Sequence, residues 1–170
     1  MDLKKEILKE HSKSQTTRIV NYVGGDPLRF ASLIKVFLEG PYRVTQRAAW
    51  PLGYCVEHNP GLIKPHLKTV LEYLKKPGIH DAAKRNTIRL LKFAEIPLKL
   101  HGQIAELCFQ YLQDPKEPVA VRVYAMDVLG DIAMHIPDFK NELRIIIEDH
   151  LPYASPAFSS RARKVLKRIQ

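Results

Sequence analysis

Apolar residues recur through the chain at helical spacing, in runs separated by glycine and proline. Within residues 26–39, Phe30, Leu33, Ile34 and Phe37 stand at i, i+3, i+4 and i+7, which places them on one face of a helix. An aspartate and a proline open this run, supplying a side-chain cap and a residue suited to the first helical turn. A glycine and a proline close it. The pattern therefore predicts a well-bounded amphipathic helix.

The same pattern continues along the chain and predicts about ten helices joined by short turns. Short turns make consecutive helices antiparallel neighbours, so these helices form about five hairpins. Residues 1–25 are predicted to form less regular helices. No internal linker is visible, so residues 1–170 are predicted to form one domain. The later helical pairs are assigned to residues 26–58, 60–95, 97–135 and 138–169.

Two prolines fall inside predicted helices. Pro51 lies in the helix predicted for residues 42–57, and Pro65 lies near the start of the helix predicted for residues 60–76. Proline has no N–H to donate, and its ring crowds the preceding turn. We therefore expect a kink at Pro51 and a kink or a late start at Pro65.

The helix predicted for residues 118–135 is apolar on nearly all sides, so other helices must cover it. It follows an Asp-Pro turn and contains the pattern Val-x-Val-Arg-x-x-Ala-x-x-x-Leu-Gly. This arrangement resembles the second helix of a HEAT repeat. The matching residues are Asp114, Pro115, Val119, Val121, Arg122, Ala125, Leu129 and Gly130.

Recurrence of the pattern strengthens the resemblance. Leu52–Leu67 parallels Leu129–Leu143, because both stretches begin with Leu-Gly and continue to His-x-Pro. Arginines also recur at intervals of 37 to 39 residues, at Arg47, Arg85, Arg122 and Arg161. A period near 40 residues is typical of helical solenoids. The resemblance implies an all-α fold, a right-handed α-α superhelix of HEAT-like pairs, with the second helix of each pair lining a concave side.

The charge pattern suggests where such a protein binds. The chain has 27 basic and 18 acidic residues, a net charge of +9, which is informative about partners and not about fold. Cationic and aromatic residues share narrow stripes on the helices predicted for residues 42–57 and 81–95, and the last helix concentrates further cations. The candidate partner-binding residues are Arg43, Arg47, Trp50, Tyr54, Arg85, Arg89, Lys92, Arg161, Lys164 and Arg168.

The recurring arginines have a structural interpretation as well. In HEAT families a turn aspartate and a helix arginine typically connect neighbouring repeats, and Asp114 with Arg122 matches that arrangement. Asp81 with Arg85 is a weaker second match. The sequence leaves open whether these arginines face a ligand or another helix.

Three functions are compatible with this pattern. The first is a non-catalytic scaffold whose concave face binds a protein partner with an acidic surface. The second is a nucleic-acid-binding module, in which the cations contact phosphates and Trp50 or Tyr54 stacks on bases. The third is a DNA alkylation-repair glycosylase, since such enzymes are built of HEAT-like repeats with a carboxylate in the groove. Asp127 and Asp131, at i and i+4, are the carboxylates considered for that role.

Other chemistry has little support in the sequence. The histidines lack the i, i+4 pairing with a third ligand that zinc sites show, so neither a metal nor a cofactor is expected. No catalytic motif is visible, so no enzymatic activity is expected. No apolar run reaches the ~20 residues of a membrane span. The N-terminus lacks a secretory signal, and Cys55 and Cys108 fit buried thiols, so a cytoplasmic location is expected.

Overall fold

The computed structural model describes all residues from Met1 to Gln170, and it contains helices and no strands. Two 3-10 helices, Pro60–His66 and Leu151–Tyr153, accompany the α-helices. The all-α prediction is confirmed. None of the helices combines the length and the apolar character that crossing a membrane requires. The α-helices are α1 (Leu3–Lys9), α2 (Lys13–Val23), α3 (Pro27–Glu39), α4 (Tyr42–His58), α5 (Leu67–Leu74), α6 (Asp81–Leu91), α7 (Leu98–Gln113), α8 (Val119–His135), α9 (Asp138–His150) and α10 (Pro156–Ile169).

Side-chain caps begin several of these helices where the sequence predicts them. The Asp26 carboxylate accepts hydrogen bonds from the backbone N–H groups of Leu28 and Arg29, at 2.8 and 3.1 Å. The Ser155 hydroxyl accepts one from the Phe158 N–H. Each cap satisfies a donor that the first turn of a helix leaves without an intrahelical partner.

The structure departs from the predicted bounds in the segment that follows α4. Residues 60–76 were predicted to form one helix with a kink or a late start at Pro65; the structure shows the late start, because Pro60–His66 is a 3-10 helix and α5 begins at Leu67. Pro65 explains the late start, because it has no N–H for the carbonyl four residues back. By contrast, α4 continues through Pro51, which is buried within it.

Contacts divide the chain into two compact units, Met1–Ile96 and Pro97–Gln170. In the first unit α4 is central and packs against α1, α2, α3 and α6. Its apolar side, including Leu52 and Val56, is fully buried. The prediction of one domain over residues 1–170 stays a prediction.

In the second unit α8 is central and packs against α7, α9 and α10. Its buried residues continue almost without interruption from Ala125 to Ala133. This agrees with the sequence, in which the helix is apolar on nearly all sides. One of the buried positions is Gly130, where a Cβ would meet the guanidinium of Arg168 and the side chain of Val165 on α10. The glycine thus allows α10 to approach closely.

Candidate functional site

The candidate residues of the first unit lie on α4 and on α6, with Lys92 as the residue that caps the C-terminal end of α6. We call them the α4–α6 face: Arg43, Arg47, Trp50, Tyr54, Arg85, Arg89 and Lys92. The two helices run side by side in the same direction. Tyr42 and His80 meet at the two N-terminal ends, with ring centres 5.0 Å apart. Further along, the Arg89 guanidinium carbon lies 5.1 Å from the centre of the Tyr54 ring. The stripes on the two helices are therefore neighbours.

Trp50 is half-buried and contacts the loop between α1 and α2. Its ring centre lies 5.3 Å from that of His11, which is exposed. Trp50 is consequently not a core residue, and part of its indole is available to a partner. Sequence analysis missed His11, because a loop residue contributes to no helical stripe.

Arg89 is the most constrained cation of the α4–α6 face. Its Nη2 donates to the Glu57 carboxylate at 2.7 Å. Its guanidinium also lies over two rings, those of Tyr54 and Phe93, at 5.1 and 5.3 Å from their centres. Charge-assisted hydrogen bonding and cation–π contact both favour one orientation of this side chain. Sequence analysis missed Glu57 and Phe93; Phe93 stands four residues after Arg89, in the turn that follows α6.

Arg47 is held by the first helix. Its Nη1 donates to the carbonyl oxygen of Leu8 at 3.0 Å, close to the C-terminal end of α1. Carbonyls at a helix C-terminus lack intrahelical partners and carry partial negative charge, so an arginine there stabilises the helix end. Arg29 does the same for Tyr22 at the end of α2, at 2.8 Å. Arg122 does so for Leu112 at the end of α7, at 3.1 Å.

This arrangement clarifies the structural interpretation of the recurring arginines. Arg122 donates to a backbone carbonyl, whereas the Asp114 carboxylate accepts from the N–H of Lys116. Burial lowers the pKa of Arg122, and the nearby charge of Asp114 opposes that shift. Arg122 therefore connects α8 to α7 through a main-chain carbonyl. Arg47 and Arg122 share this structural role.

Two cations of the α4–α6 face have no such restraint. Arg43 and Arg85 are both exposed, and no carboxylate lies within ion-pair distance of either guanidinium. Lys92 is half-buried at the C-terminal end of α6. The face therefore combines fixed arginines with two exposed charges that remain available to a partner.

The candidates of the second unit lie on α10, and two of the three are already paired. Arg161 binds the Asp127 carboxylate at 3.0 Å. Arg168 binds Asp131 at 2.6 Å and the main-chain oxygen of Asp127 at 3.2 Å. Lys164 is exposed, with no carboxylate within ion-pair distance. Arg161 and Arg168 therefore connect α10 to α8.

The same contacts define the role of the two carboxylates on α8. Asp127 is 2% exposed, and Arg161 and Arg168 neutralise it from one side. Asp131 is engaged by Arg168. Both carboxylates therefore act as structural acceptors that join α8 to α10.

Nucleophilic and metal chemistry have no clear location in the molecule. Burial raises the pKa of Cys55 and of Cys108 to about 12, so both thiols stay protonated and unreactive at neutral pH. No three His, Cys, Asp or Glu side chains come together in a way that could hold a metal ion.

Comparison with known proteins gives one match. A family model described as HEAT repeat domain matches residues 3–169. No curated protein and no solved structure matches the chain. HEAT repeats are helical repeat scaffolds that generally mediate protein interactions and are generally not catalytic.

Proposed function

The chain belongs to the HEAT repeat family, and we propose that it is a non-catalytic binding module whose α4–α6 face holds a protein partner with an acidic surface. We also propose a cytoplasmic location, since Cys55 and Cys108 are buried, unbridged thiols.

The observation that carries this proposal is the pair of exposed arginines. Arg43 and Arg85 lie on neighbouring helices without a carboxylate partner, in a chain with a net charge of +9. An acidic surface complements them, and such complementarity steers association and selects the partner. Trp50, two turns along α4 from Arg43, is half-buried, and tryptophan and arginine are among the residues that most often dominate binding interfaces.

The fixed arginines support the proposal in a different way. Arg89 is held by Glu57 and two aromatic rings, and Arg47 is held by the end of α1. Ordering a flexible side chain at an interface costs roughly 0.5–1.5 kcal/mol. A face whose large side chains are already ordered avoids part of that cost. More of the interaction with the exposed arginines is then retained as affinity.

A specific observation on α10 favours nucleic acid as the second candidate. Arg163, Lys164 and Lys167 are exposed on one side of this helix, and none has a carboxylate partner. Such a stripe suits phosphate contacts, whose strength falls steeply as the salt concentration rises. On the α4–α6 face, by contrast, the Arg89 guanidinium already covers the Tyr54 ring on which a base would stack.

Binding at the α4–α6 face can be followed by tryptophan fluorescence, because Trp50 is the sole tryptophan of the chain. Trp50 emission is titrated with a peptide of ten glutamates, and in parallel with a random DNA duplex, at low and higher salt. We expect the peptide to change the emission at ~50 mM salt, and to do so more weakly as salt screens the charges. A response to the duplex alone would contradict the proposal and favour the nucleic-acid candidate.

Charge reversal then locates the binding surface. The double variant Arg43→Glu with Arg85→Glu is expected to lose the peptide response, because both changed side chains are exposed and unpaired. Lys4→Glu with Lys68→Glu makes the same charge change at exposed positions of the same unit that lie outside the α4–α6 face. Equal losses in the two double variants would show that net charge, and not this face, is responsible.

A further inference from the structure

A small pocket lies at the N-terminal ends of α4 and α6 in the first unit, and it encloses about 200 Å³. Tyr73 forms its buried wall, whereas Tyr42 is 62% exposed and stands at its rim. The Tyr42 and His80 rings meet edge to face, at an interplanar angle of 83°. The lining relevant to binding consists of Leu38, Tyr42, Gln46, Tyr73, Lys76 and His80.

The lining combines apolar walls with an unneutralised charge. Aromatic rings and aliphatic side chains supply the walls, and no aspartate or glutamate is among the lining residues. The Lys76 ammonium lies 5.9 Å from the centre of the Tyr73 ring and has no carboxylate within ion-pair distance. Its neighbour Lys75 differs, because it binds Glu72 at 2.8 Å. The pocket therefore fits an apolar group that has a negative charge next to it.

The volume limits what the apolar group is. Pockets for whole small molecules usually enclose about 300–1,000 Å³, so a site of 200 Å³ fits one side chain better than a complete ligand. The position of the pocket agrees with a protein partner, because Arg43 directly follows Tyr42 at the start of the α4–α6 face.

We infer that this pocket receives one phenylalanine- or leucine-sized side chain of the acidic protein partner, with an adjacent carboxylate of that partner reaching Lys76. The inference rests on the proposed function and adds a sequence requirement to it: acidic residues alone are not sufficient, and an apolar anchor must stand among them. A partly open pocket buries an aromatic or aliphatic side chain incompletely, so the anchor should improve affinity by about fivefold.

Two end-blocked pentapeptides test the inference, one with a phenylalanine between four glutamates and one with glycine in its place. Binding is followed by backbone amide NMR shifts of the labelled full chain. We expect the phenylalanine peptide to bind about fivefold more tightly and to shift Gln46, Gly78 and His80, which line the pocket. We expect the glycine peptide to shift the α4–α6 face without these pocket signals.

Variants separate the pocket from the rest of the face. Tyr42→Ala and Lys76→Glu should each remove the advantage of phenylalanine, whereas Lys64→Glu, an exposed lysine of the same unit outside the pocket, should keep it. Arg43→Glu with Arg85→Glu should weaken both peptides by the same factor.

The outcomes distinguish the two proposals. Equal binding of both peptides, with shifts on the α4–α6 face alone, would overturn the pocket assignment and leave the proposed function intact. Binding of neither peptide would overturn both. Tighter binding of phenylacetate than of the phenylalanine peptide would also overturn the inference, because the site would then suit a free carboxylic acid.

Discussion

Helices α4 and α8 share one sequence register but carry different chemistry on corresponding positions. Both contain Leu-Gly, at Leu52 and at Leu129. Two residues before this leucine α8 has Asp127 where α4 has Trp50, and two residues after it α8 has Asp131 where α4 has Tyr54. The two aspartates of α8 thus correspond to two aromatic residues of α4.

The difference determines how each arginine is used. In the second unit the aspartates of α8 neutralise Arg161 and Arg168 of α10. In the first unit α4 carries aromatic residues at these positions, and Arg85 on the neighbouring α6 is exposed and unpaired, whereas Arg89 binds Glu57. A helix pair without these acids keeps cations available to a partner.

The largest expected effect on stability comes from removing the buried carboxylate that joins α8 to α10. Asp127→Ala leaves Arg161 and Arg168 without their buried acceptor. Removing one partner of a buried ion pair costs about 3–5 kcal/mol, and the partly exposed arginines reduce this to about 2 kcal/mol. Urea unfolding of the full chain measures the loss. Glu57→Ala, which removes a more exposed carboxylate in the first unit, should cost less than half as much.

An intermediate effect, opposite in sign between the two helices, is expected at the glycine of each Leu-Gly. A Cβ at Gly130 meets the Arg168 guanidinium and lies 3.1 Å from Val165 Cγ1. A Cβ at Gly53 finds its nearest neighbour, Arg89 Nη1, at 3.6 Å, which is ordinary contact.

Alanine substitution should therefore separate the two positions. Alanine is about 0.8–1 kcal/mol better than glycine inside a helix, so Gly53→Ala should raise the free energy of unfolding by up to that amount. Gly130→Ala should lower it by about 1 kcal/mol, since displacing Arg168 outweighs the gain in helix propensity. Equal effects of the two substitutions, measured by urea unfolding, would show that the close approach of α10 to Gly130 is unimportant.

The helix starts and the central position of α8 were predictable because they depend on local chemistry. Asp26 and Ser155 cap helices through bonds to residues two or three positions ahead. The nearly continuous apolar surface of α8 predicted that other helices would cover it, and they do. Periodicity, caps and prolines are visible in any short stretch of sequence.

The partners of the arginines were much harder to predict. Arg47 donates to a main-chain carbonyl 39 residues earlier, and every helix end offers such acceptors, so no residue type identifies the partner. Glu57 and Arg89 are 32 residues apart, on helices whose relative register only the packing determines. The Asp127–Arg161 pair was accessible in principle, because its separation of 34 residues is close to the repeat length.

The most direct test places on α4 the acidic residue that α8 carries at the corresponding position. Trp50→Asp gives α4 the acid that α8 carries at Asp127, and Trp50→Asn makes a matched change without charge. Affinity for a fluorescently labelled peptide of ten glutamates is measured by anisotropy in both variants. We predict that the aspartate variant binds at least about tenfold more weakly than the asparagine variant, because the new carboxylate adds a negative charge to the α4–α6 face and repels the acidic peptide. Equal affinity of the two variants would contradict the claim that the α4–α6 face binds the acidic partner.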